Sequence, residues 1–152
     1  VSAVGVRRAT AADATAAWAI VEEYYDAIDV MHRDDPEEFR AYLHGPGAFW
    51  LAEDDEVAVG CVAMRPLPSV AADACEVKRL YVRPGHRRAG VAAALMDALE
   101  AYAREQGYRA IYLDTKDDLI TAIRFYESRG YERIPRYNDN AQASIFMRRP
   151  LP

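Results

Sequence analysis

The sequence predicts a mixed α/β fold of the α+β kind, a central mixed sheet of about seven strands flanked by about four helices. Three observations predict it. Seven short segments have the period-two or β-branched character of strands. Four others carry apolar residues at helical spacing between recognisable start and stop residues. Residues 75–92, CEVKRLYVRPGHRRAGVA, join both kinds in one run: an alternating segment, a glycine- and arginine-bearing turn, and an alanine-rich helix from Gly90 onward.

In chain order, the strand VGVRRA is followed by Thr10-x-x-Asp13, an N-cap with an acidic N3 residue, so a helix is expected to start there. Its apolar stripe is Ala14, Trp18, Val21, Tyr25 and Ile28, and the pattern lapses in DVMHRDDP, which reads as a loop. Pro36 fits the first turn of a short helix, PEEFRAYL, that stops before Gly45-Pro46-Gly47. AFWLAED and EVAVGCVAMRPL form a hairpin around Asp54 and Asp55. After the 75–92 run, Val91, Leu95, Ala98, Leu99 and Tyr102 make a helical stripe that ends at Gly107, a C′ residue. RAIYLDT is a strand, Asp117 or Asp118 opens a helix through ITAIRFYESR, and Gly130 closes it. YERIPRY and ASIFMRR are the last two strands, giving the order βααββ-βαβα-ββ.

The 152 residues fit one domain, expected to span residues 1–152, and suffice to bury roughly 68–70% of the unfolded surface. No apolar run approaches the ~20 residues of a membrane span, and no charged-then-apolar leader is present. Cys61 and Cys75 lie in strand-like segments without metal-type spacing, which favours reduced thiols over a disulfide and a cytoplasmic setting. His32 and His44 lack partners at metal-ligand spacing, so no metal is expected. A formal charge of −5 opposes a nucleic-acid surface and favours small cationic partners.

The 83–92 turn has the makings of an anion cradle. The first N–H groups of a helix have no internal partner, and the peptide dipoles leave about half a positive charge there. Small residues let a phosphate reach the backbone, and Arg87 and Arg88 add charge. Alone, the pattern Arg87-x-x-Gly90-x-Ala92 is also what an ordinary surface helix start would show.

Taken together, EVKRLYV, RRAGVA, the long helix, AIYLDT and AIRFYESRGY resemble the GNAT superfamily of acyl-CoA N-acyltransferases, most specifically over residues 76–131. The resemblance implies a GNAT-like sheet and acetyl-CoA as co-substrate. It also implies that Arg87, Arg88, Ala89, Gly90, Val91 and Ala92 hold the coenzyme pyrophosphate, and that Leu80, Tyr81 and Val82 lend backbone groups to the pantetheine arm and the thioester carbonyl. Tyr126 falls on the family tyrosine near the end of the later helix. Seven residues earlier, where many members have asparagine, this chain has Leu119.

Acyl transfer to an amine needs a base, because an amine of pKa near ~10 is neutral only about one part in a thousand at pH 7. Glu76 on the central strand is the first candidate base, with Asp114 in reserve; a flank glutamate paired to a nearby cation is the competing reading. Tyr126 is the candidate acid for the leaving thiolate, against a core aromatic sharing a stripe with Ala122 and Gly130. His86 reads as a solvated turn residue, and Lys78 and Arg79 as strand-face charges. The leading function is N-acetyl transfer by direct attack of a small-molecule amine; the alternative is a catalytically silent acyl-CoA-binding module. Asp26, Asp29, Asp34 and Asp35 suggest a cationic acceptor, and a homodimer is among the partners the reading allows.

Overall fold

Thr10, Asp35, Gly107 and Gly130 punctuate the chain much as their chemistry requires. The structure, a computed structural model, describes residues 4–28 and 33–152. Among them are the strands β1 (Val4–Arg8), β2 (Ala48–Asp54), β3 (Val57–Pro66), β4 (Ala74–Val82), β5 (Ala110–Thr115), β6 (Glu132–Ile134) and β7 (Ile145–Pro150). The α-helices are α1 (Ala14–Ile28), α2 (Pro36–His44), α3 (Val91–Glu105) and α4 (Ile120–Ser128). The strand order is β1-β2-β3-β4-β5-β7-β6, a mixed sheet in the anticipated element order. Two compact units divide the chain, Val1–Arg65 with Val77–Tyr102 and Pro66–Glu76 with Ala103–Pro152. The divisions fall at the last residue of β3, within β4 and within α3. Among the described residues, no helix is long and apolar enough to cross a membrane.

In the first unit β1 and β2 pair antiparallel from Val4↔Asp54 to Arg8↔Trp50, and β2 pairs antiparallel with β3. Asp13 accepts the Thr10 N–H at 2.8 Å, and a 3₁₀ turn at Ala11–Asp13 leads into α1. The buried face of α1 is Ala17, Ile20, Val21 and Tyr25; of the expected stripe, Val21 and Tyr25 are buried and Trp18 packs against the core, while Ala14 is exposed and Ile28 only half-buried. Asp35 caps α2 by accepting the Glu38 N–H at 2.8 Å, with Pro36 in the first turn. The core joins these helices to Phe49, Leu51, Cys61, Ala63 and Tyr81. Phe39 sits edge-on to Trp18 at 4.9 Å and to Phe49 at 5.9 Å, contacts worth about 0.5–1.5 kcal/mol each beyond area burial.

Arg79 is not a strand-face charge. It is 9% exposed, with a left-handed φ of 61° that takes it out of the alternation of β4. Its Nε and Nη2 donate to Asp34 at 3.1 and 2.9 Å. The Tyr25 hydroxyl donates to the same carboxylate at 2.8 Å and accepts the Asp34 N–H at 2.9 Å. A buried cation persists only where it is paired and hydrogen-bonded, and this network meets that condition.

In the second unit, β4 begins parallel to β5 (Ala74↔Ala110, Cys75↔Ile111, Glu76↔Tyr112), β5 pairs antiparallel with β7, and β6 with β7. β6 is shorter than YERIPRY suggests because Pro135 has no N–H to continue a ladder. α4 starts after Leu119 rather than at Asp117 or Asp118: Leu119 occupies the N-cap, its N–H held by the Lys116 carbonyl at 3.1 Å. The Asp117 N–H is bonded to Ser144 Oγ at 3.1 Å. Cys61 and Cys75 are free and buried; burial pushes the Cys75 thiol up to about 12 and raises Cys61 as well, so both are neutral thiols.

An Asp34→Asn chain is expected to lose about 3–5 kcal/mol of stability at about pH 7, the range for removing one partner of a buried pair. Burial alone would raise the Asp34 carboxyl, but the Arg79 guanidinium and the Tyr25 hydroxyl outweigh it and hold it below the usual range. A depressed folded-state value means stabilisation that is complete above the unfolded value near ~3.9 and lost as the pH falls through the folded one. The difference between the two proteins should therefore narrow in acid. Urea unfolding at about pH 7 and about pH 3 measures it, and an equal gap at both would remove the Arg79–Asp34 pair from the account.

Candidate active site

The cradle lies in the first unit, where β4 ends and α3 begins. Pro84–His86 forms a 3₁₀ turn, Arg87 is extended, and Arg88 and Gly90 take positive φ of 65° and 77°. The Gly90 carbonyl accepts the Ala94 N–H at 3.0 Å, so Gly90 is the residue from which the helix hydrogen bonds start. The N–H groups of Val91, Ala92 and Ala93 then precede the first intrahelical donor. A Cβ built on Gly90 meets nothing within 4 Å, which leaves the space above those amides open. Such a site fits a phosphate ester, held by backbone donors and the helix dipole.

Three side-chain contacts fasten the loop. Arg83 forms a two-point ion pair with Glu23 of α1, its Nε donating at 2.9 Å. His86 Nε2 lies 2.9 Å from Asp54 Oδ2 at the end of β2, so His86 is a half-buried, paired residue rather than a solvated one. Arg87 turns back, its Nε donating to the Val82 carbonyl at 2.9 Å. Arg88 and Ala89 are exposed, Val91 is buried, and Ala92 is half-buried. On β4, Leu80 is half-buried while Tyr81 and Val82 are buried. Gly60 of β3 admits the Tyr81 carbonyl, which would lie 3.0 Å from a Cβ there.

Glu76 and Asp114 belong to the second unit. Glu76 is fully buried, and its Oε2 accepts the Tyr137 hydroxyl at 2.5 Å. Because Glu76 is registered with Tyr112, Asp114 two residues further along β5 presents its carboxylate to the same sheet face. Asp114 Oδ2 accepts from Asn138 Nδ2 at 2.7 Å and Asn140 Nδ2 at 3.4 Å. The first-choice and reserve bases thus both meet the β6–β7 loop, which sequence reasoning missed. Its signal was the polar turn cluster Asn138-Asp139-Asn140 following Pro135.

Tyr126 is 8% exposed near the end of α4, its ring 5.6 Å from Phe125 and 5.7 Å from Tyr131. The acidic segment before α2 is not a free anionic surface. Asp26 pairs with Arg33 at 3.0 Å, Asp34 holds Arg79, and Asp35 caps α2, while Asp29 and His32 lie outside the described residues. His44 is exposed in the last turn of α2. Among the described residues, no cluster of His, Cys, Asp or Glu could hold a metal ion.

Residues 14–131 match the Acetyltransferase (GNAT) family. An uncharacterized N-acetyltransferase of Schizosaccharomyces pombe is 32% identical over 137 residues, covering 85% of this chain and 83% of that protein. Human N-acetyltransferase 8 is 35% identical over 97 residues, 62% of this chain; the chain spans only 43% of its length, and 45% of a related mouse protein. Among solved structures, an acetyltransferase of the GNAT family from Staphylococcus aureus superposes with a TM-score of 0.84 at 23% identity, covering 99% of this chain and all (100%) of that one. The PaiA N-acetyltransferase of Thermoplasma acidophilum, in complex with coenzyme A, superposes with a TM-score of 0.73 at 13% identity, covering 98% and 99%. At those identities the structures establish the fold, and with the family match spanning most of its length, the chain belongs to the acetyltransferase (GNAT) family of N-acetyltransferases.

Proposed function

We propose that residues 1–152 act as one N-acetyltransferase domain that moves the acetyl group of acetyl-CoA directly onto a small-molecule primary amine. The observation that carries this reading is the α3 cradle, where Gly90 combines a left-handed φ, open space and unpaired helix amides. Glu76 takes a proton from the bound ammonium, and the neutral nitrogen attacks the thioester carbonyl. Backbone groups of Leu80, Tyr81 and Val82 hold the pantetheine arm and polarise that carbonyl. As the C–S bond breaks, the Tyr126 hydroxyl gives its proton to the departing thiolate, and the second proton that the nitrogen loses on becoming an amide restores Tyr126 through solvent. The coenzyme A complex of the Thermoplasma relative supports coenzyme use here. Neutral buried thiols suit a reducing, cytoplasmic setting.

Gly90→Asp adds volume, charge and an unfavourable φ at the cradle, so acetyl-CoA binding is expected to collapse in calorimetry while the chain stays folded. Unchanged affinity in a folded variant would take the pyrophosphate away from this loop.

Tyr126→Phe keeps the ring packing and removes only the hydroxyl. Acetyl-CoA affinity should hold while kcat falls by about 10²-fold, the lower end of the range for a lost general acid, because a thiolate is a fair leaving group. A phenylalanine enzyme with full kcat would return Tyr126 to a packing role, and coenzyme binding without any coenzyme release would favour a silent binding module.

Two carboxylates on one sheet face, Glu76 and Asp114, favour a cationic amine. Polyamines and aminoglycosides should therefore be acetylated faster than acidic amino acids when coenzyme release is followed across a panel. Preference for an anionic acceptor would overturn this choice.

A further inference from the structure

We infer that Tyr137 is a positioning residue for Glu76, and that the β6–β7 loop is built to hold it there; the inference rests on the reading of Glu76 as the base. A fully buried carboxylate needs hydrogen-bond partners, and the chemistry of the partner decides what the carboxylate can still do. The Tyr137 hydroxyl donates to Oε2 and brings no full charge of its own. It holds the Oε2 end of the carboxylate and so fixes the orientation of the group.

The loop holds that hydroxyl firmly. The Tyr137 ring is clamped edge-on between Tyr112 of β5 and Phe146 of β7, each at 5.4 Å. Arg136 closes the segment by donating to the carbonyls of Asn140 at 2.9 Å and Ala143 at 2.8 Å, with its guanidinium 4.6 Å from the Phe146 ring. Asn138 Oδ1 accepts the Asn140 N–H at 3.0 Å while its amide donates to Asp114. Residues 136–140 therefore act as a strap that sets the orientation of both carboxylates. In the reaction, the ammonium N–H bond breaks and its proton goes to the Glu76 carboxylate. Tyr137 keeps its own proton throughout, and Glu76 later releases the acquired one to solvent.

The test is a double-mutant cycle with Tyr137→Phe and Glu76→Gln, run with acetyl-CoA and whichever of spermidine, kanamycin or glutamate turns over fastest. Tyr137→Phe retains the ring contacts, so the melting temperature and the KM for acetyl-CoA should hold while kcat falls roughly 10–100-fold, as for a lost hydrogen bond to a charged group. In the Glu76→Gln background the same change should cost less than about twofold, because the group it positions is gone. Wild-type kcat in Tyr137→Phe, or an equal loss in both backgrounds, overturns the inference while a slow Glu76→Gln leaves the base reading standing. Full turnover in Glu76→Gln alone overturns the base reading, and the inference with it.

Discussion

A guanidinium inside a strand must be paired within hydrogen-bond reach or expelled, and in the first unit that requirement ties three segments to one carboxylate. Asp34 receives Arg79 from β4 and the hydroxyl of Tyr25 from α1, and it lies one residue before the cap of α2. The left-handed backbone at Arg79 costs about 1–3 kcal/mol for a non-glycine residue and persists only because the ion pair over-determines it. Cys61 adds to the same knot, its thiol donating to the Arg79 carbonyl at 3.2 Å. Leu80, Tyr81 and Val82 come immediately after Arg79 in the chain. The stretch proposed to hold the thioester thus follows directly on a buried charge pair.

The cradle is fixed by the same logic at lower burial. Arg83, His86 and Arg87 each fasten the loop to a different element, α1, β2 and β4 respectively. With the loop held, the amides at the start of α3 that are proposed to receive the pyrophosphate form a preorganised donor set. The cations nearest Gly90 in sequence therefore contribute unequally. Arg87 is committed through its Nε to Val82, whereas Arg88 is exposed with its backbone in the left-handed region.

Element order and the turn that leads into α3 were legible because they depend on local chemistry: caps, glycines at positive φ, and the period of apolar residues. Asp35 and Pro36 start α2, Gly107 lies past the end of α3, and Gly90 has the φ its place requires. What escaped depends on partners far away in sequence. Arg79 looks like one of two adjacent strand-face charges until its left-handed φ breaks the alternation and brings it to Asp34, 45 residues earlier. Tyr137 stands 61 residues from Glu76, beyond a proline that ends β6, where no periodicity applies.

Asp34 and Glu76 are both buried carboxylates, and residue type alone cannot tell them apart. Their partners can. Asp34 faces a guanidinium at two points, which stabilises the anion and holds its carboxyl below the usual range; such a group resists accepting a proton and serves the scaffold. Glu76 receives the phenolic hydroxyl of Tyr137, which orients the carboxylate. Asp114 likewise receives neutral amides from Asn138 and Asn140. Asp34 is thereby committed to the scaffold, while Glu76 and Asp114 are the pair on which the proposed proton transfer is built. The hydroxyl and amide donors to that pair come from one short loop after Pro135, so the β4 and β5 carboxylates are held in part by a segment that belongs to neither strand.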